Sequence, residues 1–280
     1  MKLPTKFYLI PTIKSVKKKF KIIGLFFVIN KKSLRLNDRK TTQSMKKIFL
    51  ITIIFLAFTS TNAQSSIFND LLQKHVSKTG IVDYVALKND ETTLDLYISY
   101  LEKTVPAIAW SENKKKAFWI NAYNAYTIKL ILENYPLKSI MDIKEDGKTA
   151  WKIPFVKVGK STYTLDHIEH KILRKTLFDP RIHVGVNCAS DSCPKLGNKA
   201  FTEENIEAAL ENLMTDFVND SSRNKLSKKK VQISSIFDWF QNDFTKNESV
   251  IDYLNKYSTT KINPNAKISY LKYDWTLNGK

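Results

Sequence analysis

The stretch AFWINAYNAYTI, residues 117–128, constrains the fold more than any other part of the chain. Its apolar residues do not keep to one stripe of a helix or to alternate positions of a strand. A helix that is apolar on nearly every side has to be surrounded by protein. Ser111 is a suitable N-cap, and the residue before Pro136 is pushed out of helical conformation, so the helix is expected to end near Asn134. The asparagines Asn121 and Asn124 lie inside it, and each must find hydrogen-bond partners.

The flanking elements follow from periodicity and capping. Ser65 to Val76 and Leu94 to Val105 have helical spacing, and Ile81 to Val85 reads as a short strand. Phe155–Val158 and Ser161–Tyr163 flank Gly159 and Lys160 as a hairpin. Thr164 caps a helix carrying Leu165, Ile168, Ile172 and Leu173 on its core face. His183 to Cys188 reads as a buried strand, followed by a turn from Ala189 to Leu196. Thr202 caps a helix to about Val218, and Lys225–Lys230 reads as a solvated loop. Val231–Ile233 reads as a strand, Ser235 with Asp238 as a capping box, Val250–Tyr257 as a helix, and Ile268–Tyr273 as a final strand. Helices outnumber strands without regular alternation. The expectation is α+β: a single globular domain with a central buried helix packed on a small, mainly antiparallel sheet.

Charge divides the chain. Of the net +18, residues 1–63 carry +13 and residues 64–280 carry +5. The basic excess therefore lies outside the expected domain, and no nucleic-acid partner is expected. Residues 45–63 have the layout of a secretory signal: Lys46 and Lys47, an apolar run from Ile48 to Phe58, and small or polar residues up to Ala63. That run is too short to span a bilayer, so no stable membrane span is expected in the mature chain. Residues 1–44 read as an over-extended N-terminus ahead of a start at Met45, residues 64–280 as the mature domain, and the periplasm or extracellular space as its destination.

Five segments together resemble the domain-of-unknown-function 547 family. They are residues 117–125, Ile168 to Arg174, Asp179 to His183, Cys188 to Pro194, and Tyr273 to Asn278. The resemblance implies a fold neighbourhood and a residue shortlist, and it brings no reaction with it.

The candidate chemistry centres on Cys188 and Cys193. In an oxidising compartment an even cysteine count favours a disulfide, and a turn can bring the two Cα atoms within the required ~4.4–6.8 Å. The alternative is a nucleophilic thiol, which needs a base and a group to orient that base. His183 and His170 are the candidate bases. On a regular strand the odd offset from His183 to Cys188 would put the two side chains on opposite faces. Asn121 or Asn124 is a candidate orienting amide, and Glu169 or Asp166 a candidate orienting carboxylate. A central helix on a sheet is similar to papain- and transglutaminase-like folds, where the cysteine stands at a helix start; here the central helix carries asparagines instead. His167 and His170 with Glu169 or His183 offer a weakly spaced ligand set, and no metal is expected. Arg174 and Arg181 read as structural partners of Glu169 or Asp179. The chain has no Gly-rich phosphate loop and no nucleotide fingerprint, so no cofactor is expected. Two functional classes fit: a non-catalytic binding or scaffold domain, slightly favoured, and a thiol-dependent hydrolase or acyl-transferase acting on an extracytoplasmic amide or ester.

Overall fold

The computed structural model describes residues 66–279, all within one compact unit. The expected signal segment and the N-terminal extension lie outside the described residues. Helix α1 spans residues 66–75, α2 Tyr84–Asn89 and α3 Glu91–Lys103. The central helix α4 runs Glu112–Asn134. Ser111 caps α4 by accepting from Lys114 N, and Tyr135 ends it in an extended conformation ahead of Pro136. Nearly every side chain from Lys116 to Leu132 is buried, as the all-round apolar pattern requires.

The most extensive neighbours of α4 are helices, α3 above all. Its sheet contact is the hairpin β3 (Val156–Val158) and β4 (Ser161–Tyr163), where the Tyr126 hydroxyl donates to the Lys157 carbonyl at 2.7 Å and Trp119 packs edge-on to Tyr163. The strands form three small ribbons rather than one sheet: β1 (Lys144–Glu145) with β2 (Lys148–Thr149), β3 with β4, and β5 (Lys225–Leu226), β6 (Lys230–Ile233) and β7 (Lys267–Tyr270). Only the β6–β7 pair is parallel. The domain is α+β, as the sequence leads one to expect.

Several local expectations are corrected. Val85 belongs to α2, because Asp83 caps that helix by accepting from Ala86 N; only Val82 makes bridge contacts. Lys225 to Lys230 is not all loop, since Lys225 and Leu226 pair with β6. Ser235 does not cap; its hydroxyl donates to the Leu271 carbonyl instead. The helix after Thr202, α7, starts at Ile206 behind Asn205 and ends at Asn219. Short helices α8 (Ile236–Trp239) and α9 (Gln241–Phe244) precede α10, Val250–Tyr257, whose capping box is Ser249 with Asp252.

Two departures shape the site. Helix α5 begins behind the Thr164 cap as one α-turn, Leu165–His167, then continues as a π-helix over Ile168–Thr176. Such widened turns recur at functional sites because they re-aim side chains. The expected strand from His183 is instead the short helix α6, Ile182–Gly185, closed by local bonds such as Val186 N to Ile182 O at 3.0 Å. A short apolar run bounded by turn residues fits a buried helical turn as well as a strand, and α6 lies among core residues.

Candidate active site

Cys188 follows α6 and opens a tight loop. Ala189 has φ of +59°, the left-handed region that costs a residue with a Cβ, and its surroundings hold it there. Its N–H donates to Asn187 Oδ1 at 2.9 Å, and its carbonyl accepts from Asn278 N at 3.1 Å. The closing segment after β7 stitches the loop further: Asp191 N donates to Thr276 O at 2.7 Å and Ser192 N to Asp274 O at 3.2 Å. Gly279 passes so close to Val82 that an added Cβ would stand 2.1 Å from its carbonyl oxygen. The segment Tyr273 to Asn278 is thus the clamp that holds the cysteine loop.

Beside this loop lies a cavity of about 390 Å³. Trp151, Trp239, Phe240, Tyr273 and Trp275 give it aromatic walls, and Asp166, Glu169, His170, His183, Cys188 and Cys193 also line it. Apolar walls with a few convergent polar groups are the usual make-up of a small-molecule site. Helix α5 contributes Asp166, Glu169 and His170, α6 contributes His183, and α4 contributes Tyr123.

The cysteines are free thiols and form no disulfide, and Cys188 N donates to Cys193 Sγ at 3.2 Å. Cys188 Sγ lies 3.1 Å from Ser190 Oγ and 3.3 Å from the Tyr273 hydroxyl. The Cys193 thiol, these hydroxyls and the Ser190 N–H bring the Cys188 thiol down to about 7, against the opposing effect of burial. Burial pushes Cys193 up, and the hydrogen bond and charge of Cys188 push it further. The pair therefore ionises at Cys188.

Neither histidine is hydrogen-bonded to Cys188. His170 has both ring nitrogens engaged, Nε2 with Asp166 at 3.2 Å and Nδ1 with Arg174 at 2.9 Å. His183 is held differently. Its Nε2 meets Asp243 Oδ2 at 2.8 Å, its ring stacks on Phe240 at 4.1 Å, and its Nδ1 makes no hydrogen bond among the described residues. Burial lowers the His183 pKa against the pull of Asp243, which keeps the ring neutral. Burial also works against the Asp243 charge, but bonds from His183 and Arg174 outweigh it and hold the carboxyl at about 2. Glu169 accepts from the Tyr123 hydroxyl at 3.2 Å, and burial raises its pKa despite nearby His170.

Of the candidates read from sequence, Cys188, Cys193, His170, His183 and Glu169 share the cavity, whereas Asn121 does not line it. Asn121 donates to the Phe201 carbonyl at 2.7 Å and accepts from its N–H at 3.0 Å. Asn124 likewise donates to Gly185 O at 2.8 Å and accepts from Asn187 N at 2.8 Å. Asp166 is the carboxylate on His170. Arg181 pairs with Asp179 as expected, but Arg174 pairs with Asp243 rather than Glu169. Asp243, Ser190 and Tyr273 were not singled out as site residues. The last two stand within the quoted motifs; Asp243 stands in a stretch with no motif at all. Among the described residues no group of three His, Cys, Asp or Glu is placed to hold a metal ion, and no helix is long and apolar enough to cross a membrane.

Residues 108–218 match the family model described as "Protein of unknown function, DUF547". The match takes in four of the five motif segments and stops short of the clamp after β7. No curated protein and no solved structure matches the chain.

Proposed function

The chain belongs to the DUF547 family through residues 108–218, and from that premise, which carries no reaction, we propose that the domain is a thiol-dependent acyl-transfer enzyme cutting an amide or ester. The observation that carries the reading is the Cys188 thiol, set against the Ser190 and Tyr273 hydroxyls in an aromatic-walled cavity and shifted toward ionisation at neutral pH. Thiolate is the nucleophilic form, and a lowered pKa supplies it without a separate base. This explains how the site works with no histidine bonded to sulfur.

The Cys188 thiolate attacks the carbonyl carbon, forming a C–S bond and moving the carbonyl π electrons onto oxygen. The oxyanion collapses and expels the amine or alcohol, which takes the proton of Glu169, a carboxyl that burial keeps protonated to higher pH. Water then attacks the thioester while His183 Nδ1 takes its proton, the thiolate leaves, and His183 passes that proton through solvent to the Glu169 carboxylate, which restores both groups. Asp243 holds the His183 tautomer that leaves Nδ1 unprotonated. The aromatic walls suit an apolar or ring-bearing group next to the scissile bond. The layout of residues 45–63, read as an export signal, supports a substrate outside the cytoplasm. The same walls would also suit a ligand bound without chemistry, and the test below separates the two.

The purified protein is mixed with p-nitrophenyl acetate. The expected result is a burst of nitrophenol with an acyl group on the Cys188 peptide, both lost in Cys188→Ser. Release that is unchanged in Cys188→Ser, or absence of any adduct, would overturn the reading and leave a binding role.

A further inference from the structure

The geometry points to a second chemistry at this loop: Cys188 and Cys193 act as a nucleophile and a resolving thiol that react with low-molecular-weight disulfides and close to a reversible Cys188–Cys193 bond. This inference uses only the two thiols and does not rest on acyl transfer.

The loop frame holds the two cysteines together. Cys188 N donates to Cys193 Sγ at 3.2 Å, which brings the second sulfur against the backbone of the first cysteine. The approach is imposed from outside the pair. Asn187 Nδ2 donates to Pro194 O at 2.9 Å, tying the residue before one cysteine to the residue after the other. Cys193 N donates to Ser190 O at 3.1 Å and closes the turn between them. Arg223 grips the far side, Nε on Cys193 O at 2.8 Å and Nη2 on Asp191 O at 2.6 Å. With its backbone pinned at these points, the loop needs side-chain rotation rather than refolding to join the sulfurs.

Access is unequal. Cys193 is 4% exposed, whereas Cys188 is the more open of the two. An incoming disulfide therefore meets Cys188 first, the more ionised of the pair. The Cys188 thiolate attacks one sulfur of RS–SR′, forming a mixed disulfide and expelling R′S⁻. Losing the negative charge at Cys188 removes part of what keeps Cys193 protonated. Cys193 gives its proton to solvent, its thiolate attacks Cys188 Sγ, and RS⁻ leaves. The small disulfide is reduced to two thiols and the protein pair is oxidised by the same two electrons. The bond closes a very short loop that is already tied, so it gains little unfolded-state entropy and is expected to reverse readily. While closed, it leaves no thiolate in the cavity.

The test uses reduced, full-length protein in glutathione buffers of varied ratio, acid-quenched, alkylated and read by mass. The expected result is an internal Cys188–Cys193 disulfide retaining no glutathione, reversed by dithiothreitol. Cys193→Ser should instead accumulate a stable glutathione adduct on Cys188, and Cys188→Ser should take up none while folded. Near-UV circular dichroism confirms that both variants are folded. The inference is overturned if the wild type retains glutathione as Cys193→Ser does, if Cys188→Ser is labelled as readily as the wild type, or if no form reacts. Ester acylation is measured separately, so either reading can fail while the other stands.

Discussion

Helix α4 meets two polar environments of opposite character. Asn121 and Asn124 are uncharged, and each engages backbone groups through both amide atoms: Phe201 in one case, Gly185 and Asn187 in the other. Between them, Tyr123 turns to Glu169 and the cysteine cavity, where burial raises the carboxyl and hydrogen bonds lower the thiol from their ordinary proton affinities. Both regions are buried. The difference is in the chemistry: the asparagines are neutral amides bonded to backbone groups through both ends, whereas the cavity groups are poised to gain or lose protons. Displaced titratable groups gathered in a cleft mark chemistry; neutral amides that tie down backbone mark architecture.

Substitutions on the two sides should therefore fail in different ways. The largest effect is expected for Cys188→Ser: acyl-enzyme formation falls about a thousandfold or more while stability in urea changes by no more than about 1 kcal/mol. His183→Asn should slow deacylation by roughly 100-fold and leave the burst intact, which stopped-flow measurement of nitrophenol release separates. His170→Ala, with both nitrogens already engaged, should change it by less than about tenfold. Asn124→Ala orphans a buried carbonyl and a buried N–H, and should cost about 3 kcal/mol in equilibrium unfolding; a neutral result would remove the architectural half of the comparison. The smallest effect is a pH dependence. Because the folded-state pKa of Glu169 is raised, its contribution to stability is fully present below its unfolded value and is lost as pH rises through the folded value. Glu169→Gln should flatten that limb of the unfolding curve, and should also remove the alkaline limb of the ester-cleavage profile.

How much could be read from sequence follows the same division. Helix α4 and its Ser111 cap were legible because all-round apolarity and a capping residue are local signals. So was α10, bounded as expected at Val250 and Tyr257. The region from Ile182 to Cys188 was not, because a short buried run has no period to distinguish helix from strand, and strand alternation does not apply to His183 and Cys188 when His183 stands on a helix. The shortlist of Cys188, Cys193, His170, His183 and Glu169 does converge on one cavity. Its wiring was illegible, since Asp243 reaches His183 across 60 residues and Tyr273 reaches Cys188 across 85. Long-range partners of this kind leave no trace in local spacing.

The central claim is that Cys188 is a free, ionised nucleophile in the folded protein. The most direct test is the rate of iodoacetamide labelling at Cys188 in native protein across pH, read on the Cys188 peptide. The account predicts a single titration with a midpoint near 7, well below the ~8.5 of an ordinary thiol. Labelling that awaits reductant or unfolding, or a midpoint at or above the ordinary value, would contradict it.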